Sequence, residues 1–483
     1  MILKVDKQTL LATFTPHRMF SAMGLIIFIL IFTKLGLAYN LGTWFLLPVL
    51  VAGYVVLCVI SVPVTVAFLI TSVQLIAQVS MAHLGASAFG ILSIVVLAAS
   101  LIIRWREGLM AEFSRLRWPH FVPGILLGIV FAIGFFGAVQ SPHAVWPNFS
   151  SNNSLYYVFV FLSHWLVYIA LGVLACTRLA ELKIFLIAFS LLYVVTIFPL
   201  PVDFYPHFLE KIYYECQPIG LHNMIAEGGG GSVNRSQVGY LAAMASLLSL
   251  SLAHHQGGRL RNMFYLWSSL AVVILFLAGS KGPVLGWVIG AFIVMRFADK
   301  QEWVRSLVVV GVIASAIGVS TLAGHSPIPC GTVKQYMNFV ESYDTRIRLI
   351  KGALETNFLV GNGFGASARG INPDTGQMLT DAGSHNLFID LLVDTGTVGL
   401  VLFLLALSML IIGFVRPLLR QDFPDRRLVM AAMGGIFTVD LIMLLLTTST
   451  YREYLGAFLI GLLMGSAVYM IQRHSPSDCP LSG

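Results

Sequence analysis

The sequence predicts an all-α fold, a polytopic helical membrane protein with about 12–14 transmembrane helices and a large, partly helical outer loop. Two observations predict it. Of the 483 residues, 57% are hydrophobic and only 11% are Asp, Glu, Lys or Arg, and apolar runs of membrane-spanning length fill most of the chain. A soluble domain carries about 25% charged residues. The composition therefore excludes a soluble globule, a disordered chain, a collagen and a nucleic-acid-binding protein, because each needs a polar or basic surface.

The predicted spans follow one another along the chain. A bilayer core is crossed by about 20 largely apolar residues, and about fourteen segments meet this length. The first segment follows Lys4, Lys7 and Arg18 with no small-residue cleavage site after it, so we expect an uncleaved span and not a signal peptide. In chain order, the segments centre near Ile27, Val51, Leu69, Val95, Val130, Leu166, Leu191, Ser246, Val272, Ile289, Gly311, Phe403, Thr438 and Leu462.

The basic residues orient these spans, since Lys and Arg collect on the cytoplasmic side of a membrane. With the N-terminus inside and every segment spanning, most of the 29 Lys and Arg residues fall on alternate inner loops. Both termini are then cytoplasmic. The other basic residues face outward against this bias: Lys34, Lys211, Arg235, Lys281, Lys334, Arg346, Arg348, Lys351, Arg369 and Arg452.

Two outer connections are long, and outer chemistry is expected in them. The first covers residues 201–233 and the second residues 324–385, within a single integral membrane domain of residues 1–483. Loops longer than about 15 residues are usually functional or disordered. In the second connection, the apolar pattern from Tyr343 to Glu355 predicts a helix, and the stretch from Asn362 to Gly365 predicts a turn.

Each long outer connection carries one cysteine, Cys216 in the first and Cys330 in the second. An oxidising outer compartment allows a disulfide between them. The alternative is two free thiols, and the sequence does not decide between these states.

No metal or cofactor site is predicted. His, Cys and Asp residues do not cluster with metal-ligand spacing, and the chain has no nucleotide-binding glycine motif. The Gly-x-Ser-x-Gly sequence of a hydrolase nucleophile is also absent. Chemistry at the outer face would therefore depend on cationic and acid–base side chains alone.

Several outward cations are candidates for binding a lipid-linked diphosphate at the outer interface. Charged residues near membrane depth are functional candidates by default, and an arginine fork matches phosphate oxygens bidentately. The alternative for each is contact with outer lipid headgroups or pairing with a neighbouring carboxylate such as Glu341, Asp344 or Glu453. The candidates are Arg235, Lys281, Arg346, Arg348 and Arg452.

His385 is the acid–base candidate, because it lies where the second long connection re-enters the membrane. An imidazole accepts a hydroxyl proton near neutral pH. The alternative is a histidine that only hydrogen-bonds the loop. Asp390 and Asp394 follow one helical turn apart and either orient a partner or pair with basic groups. His164 and Asp440 are expected inside spans as packing hydrogen bonds.

Three motifs lie within about 55 residues in the second half of the chain. Arg346 leads a helix, a Gly-x-Gly turn lies between Leu359 and Gly365, and a His-Asn stretch with Asp-x-Gly-x-x-Gly-Leu runs from Ser384 to Leu400. The Asn234-Arg235 and Ser280-Lys281-Gly282 segments precede them. Together these segments resemble the bacterial O-antigen ligase and polymerase family.

The resemblance implies a glycosyltransferase of the bacterial inner membrane that works at the periplasmic face. Such enzymes take glycan from undecaprenyl diphosphate, without a metal or nucleotide sugar, and pass it to a glycan, to lipid A-core or to another acceptor. His385 and Arg346 match the family's loop histidine and arginine, and Arg235 resembles its arginine at the outer end of a mid-chain span. Two residues depart from the pattern: Lys281 replaces the usual arginine and Ile350 a common aromatic residue.

We therefore expect an inverting displacement at the sugar carbon attached to the diphosphate. The cations would neutralise the leaving diphosphate, and His385 would orient or deprotonate the acceptor hydroxyl. The partners are then the lipid-linked donor, the acceptor and membrane lipids, with no nucleic acid. Ligase, polymerase and protein-glycosylating activities differ only in the acceptor, and all three stay open.

The rival functions are a polytopic transporter and a lipid-linked glycan flippase. Transporters place key groups near the membrane midplane and are built from related halves. Here the candidates lie on the outer side and no repeat is visible. A peptidoglycan-type polymerase is a further rival, and it is an enzyme. The His-Asn motif disfavours it.

Overall fold

The structure is a computed structural model that describes the spans and a few connecting residues. The described residues are 16–39, 43–76, 88–108, 118–140, 154–176, 179–197, 210–211, 213–215, 235–278, 280–297, 330, 359–361, 363–364, 386–420, 426–446 and 454–472. Helices account for 93% of them, and this part of the chain contains no strand. The predicted all-α fold is confirmed.

The described helices are numbered here in chain order. The first seven are α1 (Pro16–Ala38), α2 (Thr43–Ile60), α3 (Val62–Thr71), α4 (Val73–Ile76), α5 (Ala88–Arg106), α6 (Trp118–Gln140) and α7 (Ser154–Ala175). The next seven are α8 (Leu179–Ile197), α9 (Arg235–His255), α10 (Gly258–Leu277), α11 (Lys281–Phe297), α12 (Leu387–Arg420), α13 (Arg426–Leu446) and α14 (Tyr454–Gln472). The predicted centre at Gly311 lies outside the described residues, and every other predicted centre falls within a helix.

Six of the described helices contain a stretch long and apolar enough to cross a membrane. These stretches are Ala88–Arg106, Phe121–Val139, Gln237–His255, Gly258–Leu277, Leu387–Arg416 and Arg426–Leu446. Shorter apolar helices add Phe20–Gly36, Phe45–Ile60, Val62–Thr71, Trp165–Ala175 and Gly456–Gly465. The protein is therefore a multi-pass helical membrane protein, and its total number of spans stays a prediction.

The segment predicted around Leu69 differs from a continuous span. Helix α3 has 10 residues, all of them buried, and it stops at Ser72, after which the four-residue α4 begins. The Ser72 hydroxyl lies 2.7 Å from the hydroxyl of Tyr54 on α2. A short buried helix shielded by protein can end within the membrane because side chains and neighbouring helices satisfy its terminal groups.

The chain divides into two compact units, each made of three chain segments. Unit 1 comprises Met1–Ala99, Lys183–Phe339 and Phe423–Ile442. Its central helix is α9, whose apolar stretch is the most buried of the six and also the least apolar. Serines on this helix bond across to its neighbours: Ser246 Oγ lies 2.9 Å from Ser268 Oγ, and Ser249 donates to Ser190 at 3.0 Å. Such interhelical bonds keep a polar helix buried inside a membrane protein.

Unit 2 comprises Ser100–Leu182, Val340–Asp422 and Met443–Gly483. Its α7 and α14 pack at backbone distance along a row of glycines. A methyl group built on Gly172 would lie 2.6 Å from the backbone nitrogen of Leu462, and one on Gly465 would lie 2.8 Å from the Val173 carbonyl oxygen. Small residues permit this close approach, which supplies packing energy in a membrane.

Candidate functional site

The predicted site residues are unevenly described. Lys281 is described with its side chain, and Arg235 is described by its backbone. The remaining candidates, His385, Arg346, Arg348 and Arg452, lie outside the described residues, as does the helix predicted from Tyr343 to Glu355. The structure nevertheless describes the helices and the turn that adjoin several of them.

In unit 1, Arg235 and Lys281 occupy equivalent places on two packed helices. Arg235 is the first residue of α9, and the half-buried Lys281 is the first residue of α11. The two helices touch near these ends, since a methyl group built on Gly239 would lie 2.7 Å from Cγ of Pro283. The predicted candidates therefore begin two neighbouring helices.

Two features favour an anion at these neighbouring ends. The first turn of a helix has unpaired backbone N–H groups and carries a partial positive charge. Arg235 and Lys281 add two formal charges there, and no acidic residue lies in the first turn of α9 or α11. The arrangement suits phosphate oxygens.

In unit 2, the helix that follows His385 begins with a side-chain cap. Asn386 Oδ1 accepts hydrogen bonds from the backbone nitrogens of Phe388 at 3.0 Å and Ile389 at 3.2 Å. Asparagine is a favoured N-cap because its short side chain satisfies these unpaired donors. His385 directly precedes this capping residue in the sequence. The sequence interpretation missed this role, although an asparagine directly before an apolar run is a recognised helix-start signal.

Just below this cap, α12 buries two carboxylates. Asp390 and Asp394 are fully buried, as is Thr395. Burial of a carboxylate is unfavourable without a compensating charge or hydrogen bond. Both acids therefore lie inside the protein, and the choice between orienting a partner and pairing with a basic group stays open. Asp440 on α13 is also buried, as predicted.

Helix α12 is broken at Gly396, where φ is 69° and ψ is −175°. A turn from the second long connection contacts this break: Gly363 N donates to the Asp394 carbonyl at 2.9 Å, and Val398 N donates to the Leu359 carbonyl at 3.5 Å. Gly361 and Gly363 have positive φ, in agreement with the predicted turn. The sequence interpretation did not predict the break.

One predicted disulfide partner is described. Cys330 is disulfide-bonded, and its sulfur lies 3.3 Å from the carbonyl oxygen of Tyr213. Cys58 and Cys176 are buried and form no disulfide, and Cys216 and Cys479 lie outside the described residues. The alternative of a free thiol at Cys330 is therefore wrong. The bond from Cys330 to Cys216, three residues after Tyr213, stays a prediction.

No group of three or more His, Cys, Asp or Glu side chains in the described part of the chain could hold a metal ion. The features available for binding a ligand are the N-termini of α9 and α11, the cations Arg235 and Lys281, and the capped and broken helix α12. On a multi-pass membrane protein, these helix N-termini and cations suit an anionic ligand.

Comparison with known proteins identifies one matching family model. Residues 264–404 match the family model described as O-antigen ligase. This match supports the resemblance drawn from the sequence. No curated protein matches the chain.

The match indicates an O-antigen ligase-type activity in surface polysaccharide synthesis, with a lipid-linked glycan and an acceptor as substrates. The matched segment includes α11 with Lys281, the second long connection with Arg346, Arg348 and His385, and the break in α12. Arg235 and Arg452 lie outside it.

Proposed function

We propose that the protein is an inverting glycosyltransferase that moves a glycan from undecaprenyl diphosphate to an acceptor hydroxyl at the periplasmic face of the inner membrane. One observation supports this most directly: Arg235 and Lys281 begin two helices that touch near these ends. Two cations and two helix N-termini together suit a diphosphate, the leaving group of this reaction.

The proposed reaction is a single displacement. The acceptor oxygen forms a bond to the anomeric carbon, and the bond from that carbon to the diphosphate oxygen breaks. The electron pair leaves with undecaprenyl diphosphate, so the configuration at the anomeric carbon inverts. The acceptor proton passes to the His385 imidazole and then to water. Undecaprenyl diphosphate carries its charge as it leaves, and the reaction needs no metal or nucleotide cofactor.

The cations have separate proposed roles. Arg235 and Lys281 bind the diphosphate, and Arg346 stabilises the charge that grows on it in the transition state. Arg348 and Arg452 are assigned as further diphosphate contacts. Charge stabilisation can carry most of the rate acceleration here, because a diphosphate is already a competent leaving group.

A glycosyl-transfer assay on the purified protein in detergent tests this proposal. The donor is a lipid-linked glycan, and glycan, lipid A-core or peptide is supplied in turn as the acceptor. We expect one acceptor to be glycosylated with inverted anomeric configuration, and EDTA to leave the rate unchanged. His385→Ala and Arg346→Ala should each abolish transfer at unchanged expression. Retained activity in both variants would overturn the site assignment, and the acceptor used separates ligase, polymerase and protein-glycosylating activities.

Lys281 offers a graded test of diphosphate binding. Lys281→Ala should reduce kcat/KM for the donor by about 10-fold or more, as expected for a lost charged hydrogen bond of about 1.5–3 kcal/mol. Lys281→Arg should retain activity, because it supplies the arginine usual in the family. Arg259→Ala is the matched control, since Arg259 is an exposed cation at the predicted inner end of α10. An equal effect of Arg259→Ala would point to general charge loss.

A flippase or transporter is the second candidate function, and the break in α12 favours it. Interrupted membrane helices are common at transporter binding sites, and Gly396 interrupts α12 beside the buried Asp394. The detergent experiment separates the two functions, because transport requires a sealed membrane and glycosyl transfer does not.

A further inference from the structure

The break in α12 leaves two backbone groups without their helical partners. In an unbroken helix, Val398 N would donate to the carbonyl of Asp394, four residues earlier. Here the Asp394 carbonyl accepts from Gly363 N at 2.9 Å, and Val398 N donates to the Leu359 carbonyl at 3.5 Å. The turn from Leu359 to Phe364 therefore replaces the missing helical bond on both sides of Gly396. Inside a membrane such replacement is needed, because no water is available to pair with these groups.

The same turn also contacts α6. Phe364 N donates to the Gly134 carbonyl at 2.9 Å, and the Phe364 side chain is only 2% exposed. Its ring occupies the space above Gly134, where an added methyl group would lie 2.6 Å from Cδ2 of the ring. The Phe131 ring packs against it at a centroid distance of 6.1 Å. The turn is thus wedged between α6 and α12.

Glycines make this close fit possible. A methyl group built on Gly361 would lie 2.6 Å from the Asp394 carbonyl oxygen. One built on Gly363 would meet the backbone of Ala138. Both glycines have positive φ, which other residues adopt only with strain. We call residues 359–364 the brace, because they join a broken helix to its neighbour.

We propose that the brace positions His385 for the acceptor by holding the first segment of α12, from Leu387 to Thr395, at a fixed angle. This proposal rests on the proposed function. His385 directly precedes Asn386, whose side chain caps that segment. Phe364 and Gly134 are then positioning residues, since they act on the reaction through His385 and do not contact the substrate.

A small tilt of the first segment of α12 at Gly396 would displace the end of the segment next to His385. Nine helical residues form a lever of about 13 Å, so a tilt of about 10° at Gly396 would move its tip by about 2 Å. A displacement of about 1 Å can cost about 100-fold in rate at a catalytic site. A glycine with free backbone rotation cannot by itself hold such an angle. The contacts of the brace with α6 supply the missing restraint.

A size-swap experiment tests the brace. Gly134→Ala adds a methyl group against the ring, and Phe364→Leu removes part of the ring. Each single variant should lower kcat by about 100-fold while KM for the lipid-linked donor stays within about 2-fold, because the diphosphate-binding cations are untouched. The double variant restores the volume balance and should recover kcat to within about 3-fold of the original protein.

Phe136→Leu is the matched control. It makes the same chemical change on α6 at a side chain that is 61% exposed. This variant should keep both kcat and KM. If a single variant fails to fold, Phe364→Met replaces Phe364→Leu in the cycle, since methionine fills a similar volume with a flexible chain.

A second readout separates failure of the brace from failure of the proposed function. His385→Cys is introduced into the original, Gly134→Ala, Phe364→Leu and double-variant backgrounds, and its rate of labelling by a membrane-impermeant maleimide is measured. The rate should change in the single variants and return in the double variant, whether or not the protein transfers glycan. Unchanged labelling and kcat in the single variants, or no recovery in the double variant, would overturn the proposal.

Discussion

Arg104 connects three helix ends, a role beyond its place among the inner-side cations. The sequence interpretation counted it only as an inner-side cation. In unit 2 its guanidinium is 4% exposed and bonds to Glu181 at 2.6 Å and Glu107 at 2.8 Å. Two more N–H groups donate to the Leu174 carbonyl at 3.2 and 3.1 Å. Arg104 therefore joins the end of α5, the last turn of α7 and the first turn of α8.

Replacing Arg104 with alanine should destabilise the protein strongly. Glu181 would be left as a buried charge without its cation, and breaking a buried pair in this way costs about 3–5 kcal/mol. The apparent Tm in detergent should fall by about 3–5 °C, because the unfolding entropy of a chain of this length is about 1 kcal/mol/K. Arg106→Ala is the control, because Arg106 lies in the same helical turn and is exposed. An equal loss of Tm in both variants would contradict the role given to the buried pair.

Residue-scale predictions from the sequence succeeded where a residue's own surroundings decide the outcome. Burial of Asp440 was predicted from its place in an apolar run and is confirmed. The pairing of Arg104 with Glu181 was not predicted, because the two are far apart in sequence and meet only through packing. The contact of Cys330 with Tyr213 also depends on packing, since Tyr213 belongs to the other long connection.

At the scale of elements, α12 is the helix in which the sequence and the structure differ most. The sequence predicts one span around Phe403, and the structure contains a helix of 34 residues broken at Gly396. A continuous helix of that length would extend about 50 Å, well beyond a bilayer core of about 30 Å. The break separates the segment after His385 from the rest of the span.

Gly396→Ala tests the break directly. A side chain at φ 69° and ψ −175° is strained, which costs about 1–3 kcal/mol, and an added methyl group would lie 2.6 Å from Gly361 N. The Tm should therefore fall by several degrees. Gly128→Ala serves as the control, because an added methyl group there meets no atom within 4 Å. A Tm equal to that of the control would show that position 396 tolerates a helical conformation.

At the scale of the whole molecule, membrane orientation and disulfide pairing belong together. We propose that both termini are cytoplasmic and that the two long connections lie in the oxidising periplasm, where Cys216 bonds to Cys330. Cys479 would then lie on the reducing, inner side. The bond would join the two long connections.

Maleimide mass-tagging tests both statements. In intact cells an impermeant reagent should label no native cysteine, and Cys479 should become reactive after permeabilisation. In denatured, unreduced protein Cys216 and Cys330 should stay unlabelled until a reductant is added. Cys176 should react slowly in the folded protein, because burial raises the pKa of its thiol well above the usual range. Labelling of Cys216 before reduction would exclude the bridge, and labelling of Cys479 from outside would exclude the orientation.

The sequence by itself determined the class of the protein, the positions of most helices and the family resemblance that the match over residues 264–404 supports. These properties depend on local composition and on short motifs, which can be read along the chain. Only the tertiary structure decided that Arg235 and Lys281 begin touching helices, that α12 is broken, and that residues 359–364 replace its lost hydrogen bonds. Each of these depends on contacts between residues distant in sequence, and packing alone brings them together.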